Sequence, residues 1–259
     1  MMAECEGKVT LVTGGTSGIG RETSVLFAKQ GARVVVAGRR ENEGKATVDL
    51  IRRAGGEGVF VEADVSQASE VETLIEKTVA AFGGLDYAFN NAGIEGKWVP
   101  IVKQTEADWD RTIDINLKGT WLCLKYELQQ MLRQGRGGVI VNNASISGFI
   151  GSYGSATYAA SKHGVLALTK AAALEVARNG IRVNAVCPAA IETAMADRLF
   201  GAPEVRKKVL GFYPIGRFGE PIEVAEAVLW MCSSAASFMT GQSLVLDGGF
   251  LAGPNVPPE

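Results

Sequence analysis

The stretch TGGTSGIG, residues 13–20, joins a β-branched run at residues 9–13 to an amphipathic segment that begins near residue 19. A glycine-rich turn between a strand and a helix is typical of a loop that binds the phosphates of a dinucleotide. Gly14 permits the tight turn, Gly18 lets a pyrophosphate approach the backbone, and Gly20 allows close helix packing. We therefore expect a dinucleotide here, with its phosphates at the helix N-terminus.

Short β-branched runs alternate with helix-length amphipathic segments along the whole chain. The predicted strands are residues 9–13, 33–37, 58–62, 85–90, 138–143, 181–187 and 243–246. The predicted helices are residues 19–30, 41–53, 68–82, 107–134, 157–178 and 222–234. Strict alternation implies right-handed βαβ crossovers. It predicts an α/β Rossmann fold, a doubly wound seven-stranded parallel sheet with helices on both faces.

Composition favours one enzyme-sized domain that acts on small molecules. The chain has 259 residues, of which 47% are hydrophobic, so residues 1–259 can bury one large core. A net charge of -2 provides no basic surface for nucleic acid or for an anionic membrane. No apolar run approaches ~18 residues, and no signal peptide is recognisable. We expect a soluble, cytoplasmic protein.

The cysteines and the single histidine give no metal site. Cys5, Cys123, Cys187 and Cys232 are scattered without C-x-x-C spacing, which argues against a zinc site or a disulfide framework. We expect reduced, mostly buried thiols. His163, the only histidine, is expected to be structural.

Three irregular segments follow strand ends and are candidates for substrate loops, namely residues 93–104, 147–155 and 189–218. Long connections in a compact fold often serve as lids or binding surfaces. The proline-rich tail, residues 253–259, is not expected to form regular structure.

Tyr158 and Lys162 stand at positions i and i+4 of an Ala-rich segment and so share one face of a helix. Bringing a phenol pKa from about 10 to ~7 requires about 4 kcal/mol. An ammonium at ~4 Å in an effective dielectric of ~20 supplies about that amount. The pair predicts a tyrosine that exchanges protons near neutral pH.

Further motifs stand in a fixed order around this pair. Asn-Asn-Ala-Gly occupies residues 90–93, Asn116 lies late in a predicted helix, and Ser145 follows a predicted strand. With the glycine loop and the Tyr158/Lys162 pair, they resemble the short-chain dehydrogenase/reductase family. The resemblance runs from the first strand to Asp-Gly-Gly at residues 247–249 and covers nearly the whole chain.

The resemblance implies catalytic roles for four residues. Tyr158 would be the general acid/base of a carbonyl reduction or alcohol oxidation, and Ser145 would hydrogen-bond the reacting oxygen. Lys162 would lower the tyrosine pKa and bind the nicotinamide ribose, and Asn116 would anchor a water in a proton relay to Lys162. Such a reaction transfers a hydride between nicotinamide and a carbon bearing oxygen, and needs no metal.

The resemblance also implies cofactor contacts. Asp64 would contact adenine, Asn90 would border the cofactor and stabilise the sheet, and Ile191 and Thr193 would hold the carboxamide. With the glycine loop, the expected cofactor-binding residues are Gly14, Thr16, Ser17, Gly18, Ile19, Gly20, Arg39, Arg40, Asp64, Val65, Asn91, Ala92, Gly93, Tyr158, Lys162, Pro188, Ile191 and Thr193. The family usually has Pro-Gly where this chain has Pro-Ala at residues 188–189, which leaves the conformation of that loop in question.

The end of the second predicted strand favours NADP(H), with NAD(H) possible. Gly38 stands where NAD-selective folds place an acid, and Arg39 and Arg40 follow it. A guanidinium can pair with a 2′-phosphate in bidentate fashion. The alternative is a solvated cluster of arginines at a helix start.

The substrate loops are mostly apolar and aromatic, which suits a hydrophobic or aryl ketone or the matching secondary alcohol. They carry Trp98, Phe149, Ile150, Tyr153, Met195, Leu199, Phe200, Phe212 and Tyr213. Alternatively, several of these side chains belong to the core or to subunit contacts.

Rival functions remain open. The closest are a 3-oxoacyl-carrier-protein reductase, whose docking positions fall on the uncharged Gln130 and Leu174, and a glucose-type sugar dehydrogenase. A dinucleotide-binding redox sensor without turnover is more remote. Apolar residues on several helix faces indicate a homotetramer, or a homodimer.

Overall fold

A computed structural model describes residues 5–253. It contains one seven-stranded, all-parallel sheet in the order β3-β2-β1-β4-β5-β6-β7. The strands are β1 (Val9–Thr13), β2 (Arg33–Gly38), β3 (Glu57–Glu62), β4 (Tyr87–Asn90), β5 (Gly138–Asn143), β6 (Ile181–Pro188) and β7 (Ser243–Leu246). The predicted doubly wound Rossmann fold is therefore confirmed.

Helices connect the strands and cover both faces of the sheet. They are α1 (Gly18–Lys29), α2 (Glu41–Arg53), α3 (Ala68–Phe82), α4 (Glu106–Ile113), α5 (Gly119–Gln134), α6 (Ala156–Val176), α7 (Ala194–Phe200), α8 (Pro203–Leu210) and α9 (Pro221–Cys232). Of the two largest core clusters, one contains Phe27 of α1 and Met231 of α9, and one contains Leu74 of α3 and Val176 of α6. All five residues of β1 are buried, as expected for a central parallel strand.

The strand order reverses between β1 and β4, and this reversal determines where a ligand can bind. β1 pairs with β2 on one side and with β4 on the other. The connections that leave β1 and β4 at their carboxyl ends pass to opposite faces of the sheet, which opens a crevice between them. The glycine loop after β1 and the residues after β4 both border this crevice.

The predicted helix at residues 107–134 is interrupted. Between α4 and α5 lies a π-helical turn, Asp114–Lys118, in which the Gly119 amide donates to the carbonyl of Asp114. The Thr120 hydroxyl also donates to the Asn116 carbonyl at 2.8 Å. Single π turns inside helices are frequent at functional sites. Asn116 lies in the middle of this one.

Helices α7 and α8 form within residues 189–218, which the sequence analysis treats as an irregular loop. The Thr193 hydroxyl accepts from the Ala196 amide at the start of α7, and Pro203 opens α8. Both helices are shorter than nine residues, so they carry little of the apolar periodicity that identifies a helix. Of the predicted tail at residues 253–259, all but Gly253 lies outside the described residues.

Two smaller features complete the fold. All four cysteines are buried and free. Among the helices of residues 5–253, none has the length and apolar character needed to cross a membrane.

Candidate active site

A cleft of about 780 Å³ follows the carboxyl edge of the sheet. It begins near Arg39 and Asp64, passes the glycine loop, reaches Tyr158, and ends among the aromatic side chains of residues 195–213. The predicted catalytic and cofactor-binding residues all line this cleft except Gly20, Asn90 and Asn116. Residues from six strand ends and from α6 and α7 therefore meet in one elongated site.

Ser145 and Tyr158 meet at the inner part of the cleft. Ser145 follows β5 and starts a short 3₁₀ turn, where its hydroxyl accepts from the Ser147 amide at 3.1 Å. The same hydroxyl lies 3.4 Å from the Pro188 carbonyl at the end of β6. The Tyr158 side chain of α6 is hydrogen-bonded to Ser145. Two hydroxyl groups thus face one point in the cleft, where a carbonyl oxygen could accept from both.

Lys162 follows Tyr158 by one turn of α6 and is buried. Its ammonium donates to the Asn143 carbonyl at 2.7 Å and lies 5.6 Å from the centre of the Tyr158 ring. The predicted spacing does place both side chains on one helix face.

The pKa of Tyr158 lies above its ordinary value, and not near neutrality as the spacing of Tyr158 and Lys162 predicts. Burial raises the pKa of Tyr158, and Glu95 raises it further, while the hydrogen bond from Ser145 opposes them. Burial also lowers the pKa of Lys162, to about 8. Removal from water penalises the charged form of each group, so burial is the largest cause of both shifts. Tyr158 is therefore a phenol at neutral pH.

Asn116 is fully buried, and its side chain is held by Ile94 of the loop after β4 and by Ser161 of α6, to whose hydroxyl it donates at 3.3 Å. Its carbonyl oxygen accepts from the Ile94 amide at 2.8 Å, and its amide donates to the Ile94 carbonyl at 2.9 Å. A Cβ placed on Gly93 would lie 3.3 Å from Asn116 Oδ1 and 3.8 Å from Lys162 Nζ. Asn116 and Lys162 are therefore neighbours, and Asn116 fixes the loop that follows β4.

The glycine loop is shaped for close approach by a ligand. Gly14 and Gly18 have φ of +62° and +51°, values that residues with side chains rarely adopt. A Cβ on Gly18 would lie 3.1 Å from Thr193 Cγ2 across the cleft. Ser17 precedes α1 but does not cap it with its side chain, so the first amides of α1 remain available to phosphate oxygens. The loop fits a dinucleotide pyrophosphate.

A hydrogen-bonded path connects this loop to Lys162. The Asn91 side-chain amide donates to the carbonyls of Thr13 and Gly14 at 3.1 and 3.2 Å. Asn143 donates to Asn91 Oδ1 at 2.9 Å, and its own carbonyl accepts from Lys162. The positions of the glycine loop and of Lys162 are therefore coupled through two asparagines at adjacent strand ends.

The far end of the cleft carries both arginines and one acid. Arg40 donates to the hydroxyls of Thr16 and Ser17 at 3.0 and 2.8 Å. Arg39 is half-exposed and lies 3.5 Å from Asp64 Oδ2. Burial opposes ionisation of Asp64, but hydrogen bonds from Ser66 and the Arg39 charge outweigh it and lower its pKa. A ligand at this end meets two guanidinium groups and one carboxylate.

Aromatic rings form the outer wall of the cleft. The ring of Phe200 lies 6.1 Å from Trp98 and 6.0 Å from Phe218. Tyr213 continues the series, 5.6 Å from Phe218 and 5.2 Å from Phe250. Such edge-to-face contacts stabilise the wall beyond simple burial of area. The outer wall of the cleft is therefore largely apolar.

The loop that departs from the family pattern is not strained. The Tyr213 hydroxyl accepts from the Ala190 amide at 3.0 Å and so holds the segment after Pro188. Among residues 5–253, positive φ occurs only at glycines, so Ala189 fits without a left-handed backbone.

Comparison with known proteins defines the family. A family model described as enoyl-(acyl carrier protein) reductase matches residues 14–251. A 2,5-dichloro-2,5-cyclohexadiene-1,4-diol dehydrogenase of Sphingobium indicum is 42% identical over 97% of this chain and 100% of its own length. The chain is a short-chain dehydrogenase/reductase. It is therefore an oxidoreductase that acts on alcohol or carbonyl groups, in a family that binds nicotinamide dinucleotides.

Two more relatives of this short-chain dehydrogenase/reductase are informative. A cyclohexanol dehydrogenase of an Acinetobacter species is 41% identical over 96% of this chain and 97% of its own. A crystal structure of NAD+-bound xylitol dehydrogenase has a TM-score of 0.92, with 32% identity over 95% of this chain and 100% of that one. The relatives thus act on different alcohols within one architecture.

Sequence reasoning missed part of the wall of this short-chain dehydrogenase/reductase. Of the predicted substrate-loop residues, Phe149 and Ile150 do not line the cleft. Glu95, Arg198, Val209 and Phe250 do, although the sequence analysis does not single them out. No local signal marks them, because they become neighbours of the site only when α7, α8 and the C-terminal segment fold over it.

Proposed function

We propose that this enzyme interconverts a ketone and a secondary alcohol on hydrophobic, ring-bearing substrates, with NADP(H) preferred. One observation carries the proposal: hydrogen-bonded Ser145 and Tyr158 lie in the inner part of a cleft whose outer wall is aromatic. The cyclohexanol and cyclohexadiene-diol dehydrogenases among the relatives support a cyclic substrate.

Tyr158, Ser145 and Lys162 have separate roles in the proton transfer. In reduction, Tyr158 donates its phenol proton to the carbonyl oxygen while Ser145 donates a hydrogen bond to the same oxygen. Because burial raises the pKa of Tyr158, the proton is present at neutral pH. Alcohol oxidation needs the phenolate as base, so its rate rises toward alkaline pH. Lys162, with a pKa of about 8, can supply a proton to Tyr158 during reduction and accept one from it during oxidation.

The remaining site residues hold the dinucleotide. The glycine loop would contact the pyrophosphate, Asp64 and Val65 the adenine, Tyr158 and Lys162 the nicotinamide ribose. Ile191 and Thr193 would contact the carboxamide. When bound, the nicotinamide supplies a hydride to the carbonyl carbon or accepts one from the alcohol carbon. Asn116 supports Lys162 from behind, beside Gly93.

Preference for NADP(H) is supported by the residues at the end of β2. A side chain at position 38 would place its Cβ 2.8 Å from Thr16 Cγ2, so an acid there would require rearrangement. Arg39 and Arg40 can instead pair with a 2′-phosphate. The test is the ratio of kcat/KM with NADPH and NADH, with Arg40→Ala as comparison. We expect NADPH to be preferred at least about ten-fold and the preference to fall in the variant. A strong NADH preference contradicts the assignment.

Substrate class can be tested with a kinetic panel of cyclohexanol, an aryl ketone, an acetoacetyl thioester and glucose. The proposal predicts turnover of the first two well above the others. A 3-oxoacyl-carrier-protein reductase would instead favour the thioester. That function is less well supported, because Leu174 is 85% exposed and uncharged where an acidic carrier would need a cation. Cofactor binding without turnover of any of the four would favour a redox sensor.

We also propose that residues 1–259 act as one domain that assembles into a homotetramer. Large apolar side chains are exposed on α4, α5 and α6, including Trp109, Trp121 and Leu174. Trp230 of α9 and Phe238, which follows it, are exposed as well. Large exposed apolar side chains are typical of subunit contacts.

A further inference from the structure

An ion pair crosses the mouth of the cleft between two segments that are far apart in sequence. Arg198 of α7 donates through Nε to Glu95 Oε1 at 2.6 Å and through Nη2 to Oε2 at 3.2 Å. Glu95 belongs to the loop after β4, which Asn116 holds through Ile94. Both charged residues line the cleft. A bidentate pair fixes orientation as well as distance.

The pair connects a helix that forms the substrate wall to the rigid part of the site. Met195, Leu199 and Phe200 of α7 all line the cleft. Across the mouth, α7 is joined to the loop after β4 by this ion pair and by the contact of Phe200 with Trp98. Separation of Glu95 from Arg198 would therefore loosen the wall where substrate enters.

The charges around Tyr158 come from several elements. Lys162 lies beside it on α6, and the Cys187 thiol of β6 lies near Lys162. Burial raises the pKa of Cys187 to about 11, so this thiol is neutral. Of the charged side chains beyond α6, the Glu95 carboxylate is the one whose field raises the pKa of Tyr158.

Glu95 is itself only 19% exposed, so its charge is poorly screened. Burial opposes its ionisation, but the hydrogen bond and charge of Arg198, with a smaller contribution from Arg111 of α4, lower its pKa. Arg198 therefore keeps the carboxylate ionised and at the same time offsets its field.

We propose that Glu95 and Arg198 are positioning residues whose ion pair holds α7 over the cleft and partly offsets the charge of the carboxylate that acts on Tyr158. Substrate would then bind against an apolar wall whose charged pair has no net charge. The inference rests on the proposed role of Tyr158 as acid/base. The ion pair would control both the access of substrate to the cleft and the pH range over which Tyr158 transfers its proton.

The test compares Glu95→Gln with Arg198→Met by two measurements. The first is the ultraviolet titration of the Tyr158 phenol in the protein without cofactor or substrate, with Tyr158→Phe subtracted to isolate its signal. Loss of the carboxylate should lower the midpoint by roughly 0.5 pH unit, whereas loss of the guanidinium should raise it by a similar amount. If Glu95 and Arg198 only stabilised the fold, the two variants would not shift the midpoint in opposite directions.

The second measurement is steady-state kinetics with the best substrate of the panel. Both variants should raise KM roughly three- to ten-fold with a smaller change in kcat, because both open the wall. Glu95→Asp, which keeps the charge on a shorter side chain, should restore the titration midpoint more fully than KM. Circular dichroism checks that each variant is folded.

Glu192→Gln is the matched control. Glu192 pairs with Arg206 in the same segment, but neither residue lines the cleft. Glu192→Gln should leave the midpoint of the Tyr158 titration unchanged. Shifts of the same sign in Glu95→Gln and Arg198→Met, or none, overturn the proposal. Because the titration needs no turnover, that result is distinct from a failure of the proposed reaction, which full activity of Tyr158→Phe would reveal.

Discussion

At the residue scale, the most unusual group outside the cleft is Glu127 of α5, a fully buried acid. Its Oε2 accepts from the Asn90 amide at 2.9 Å, and Asn90 also donates to Asn142 Oδ1 at 3.1 Å. Glu127 Oε1 and Asn90 Oδ1 are buried and have no hydrogen-bond partner in the structure. Burial raises the pKa of Glu127 to about 7, against the opposing hydrogen bond from Asn90.

Glu127→Gln should change how stability depends on pH. The pKa of Glu127 in the folded protein lies above the ordinary value of 4.5. At low pH its carboxyl is protonated in both states, so its ionisation does not reduce the folding stability. Its cost grows as pH rises from about 4.5 to about 7, and reaches about 3 kcal/mol above that range. Glutamine removes this dependence while keeping the shape and the bond to Asn90. Urea unfolding of both proteins at pH 5 and pH 8 measures the difference. Equal pH slopes in the two proteins contradict a raised pKa.

Residue-level prediction from sequence succeeded where chemistry follows a short spacing. Tyr158 and Lys162 are separated by one helical turn, so the sequence alone places them on one face. Glu95 and Arg198 are 103 residues apart, and each alone is an ordinary surface charge. Their pairing depends on the path of α7, which no local pattern encodes. The tyrosine pKa was also wrongly predicted, because the cost of burial is a property of the folded site.

At the element scale, the first βα turn was fully predictable and the segment around α7 was not. The turn requires glycine at fixed positions, and these glycines can be recognised directly in the sequence. The short helices α7 and α8 depend on a threonine cap and a proline start, signals that also occur in loops. The π turn at Asp114–Lys118 leaves no mark in the apolar pattern, since it shifts the helix by one residue.

Gly20→Ala should disrupt the dinucleotide loop. An added Cβ would collide with the Gly14 carbonyl and the Asn91 side-chain amide, which together shape the loop. We expect NADPH affinity to fall by at least about ten-fold, with a loss of stability of about 1–3 kcal/mol from overpacking. Fluorescence titration and thermal unfolding measure the two effects.

Gly151→Ala is the control for this change. A Cβ at Gly151 meets nothing within 4 Å, and its φ is not positive. Gly151→Ala should therefore change neither the NADPH affinity nor the stability of the protein. Unchanged NADPH affinity in Gly20→Ala would show that the loop does not bind the cofactor as we describe.

At the scale of the whole molecule, the exposed apolar side chains demand an explanation that one chain does not supply. Leu174 of α6 and Phe238, in a turn that follows α9, are almost fully exposed. Two separate apolar surfaces are what a tetramer with two kinds of contact requires. Apolar residues on several helix faces predict the same assembly from the sequence.

Light scattering coupled to size exclusion tests the assembly. We expect about four times the chain mass of 27.3 kDa. Trp121→Glu, on the outer face of α5, should dissociate one kind of contact and leave a smaller species, because a buried unpaired charge is strongly unfavourable. Lys207→Glu on α8, away from both surfaces, is the control. A wild-type mass of about one chain contradicts the assembly.

The central claim is that the Tyr158 hydroxyl transfers the proton, while most of the affinity for the dinucleotide comes from the other residues of the site. Its most direct test is Tyr158→Phe, which removes one hydroxyl and preserves the ring. NADPH binding, followed by fluorescence, should stay within about two-fold of wild type, while kcat for the best ketone should fall by about 10²–10⁴. A variant that binds NADPH normally and retains near-native kcat would contradict the account.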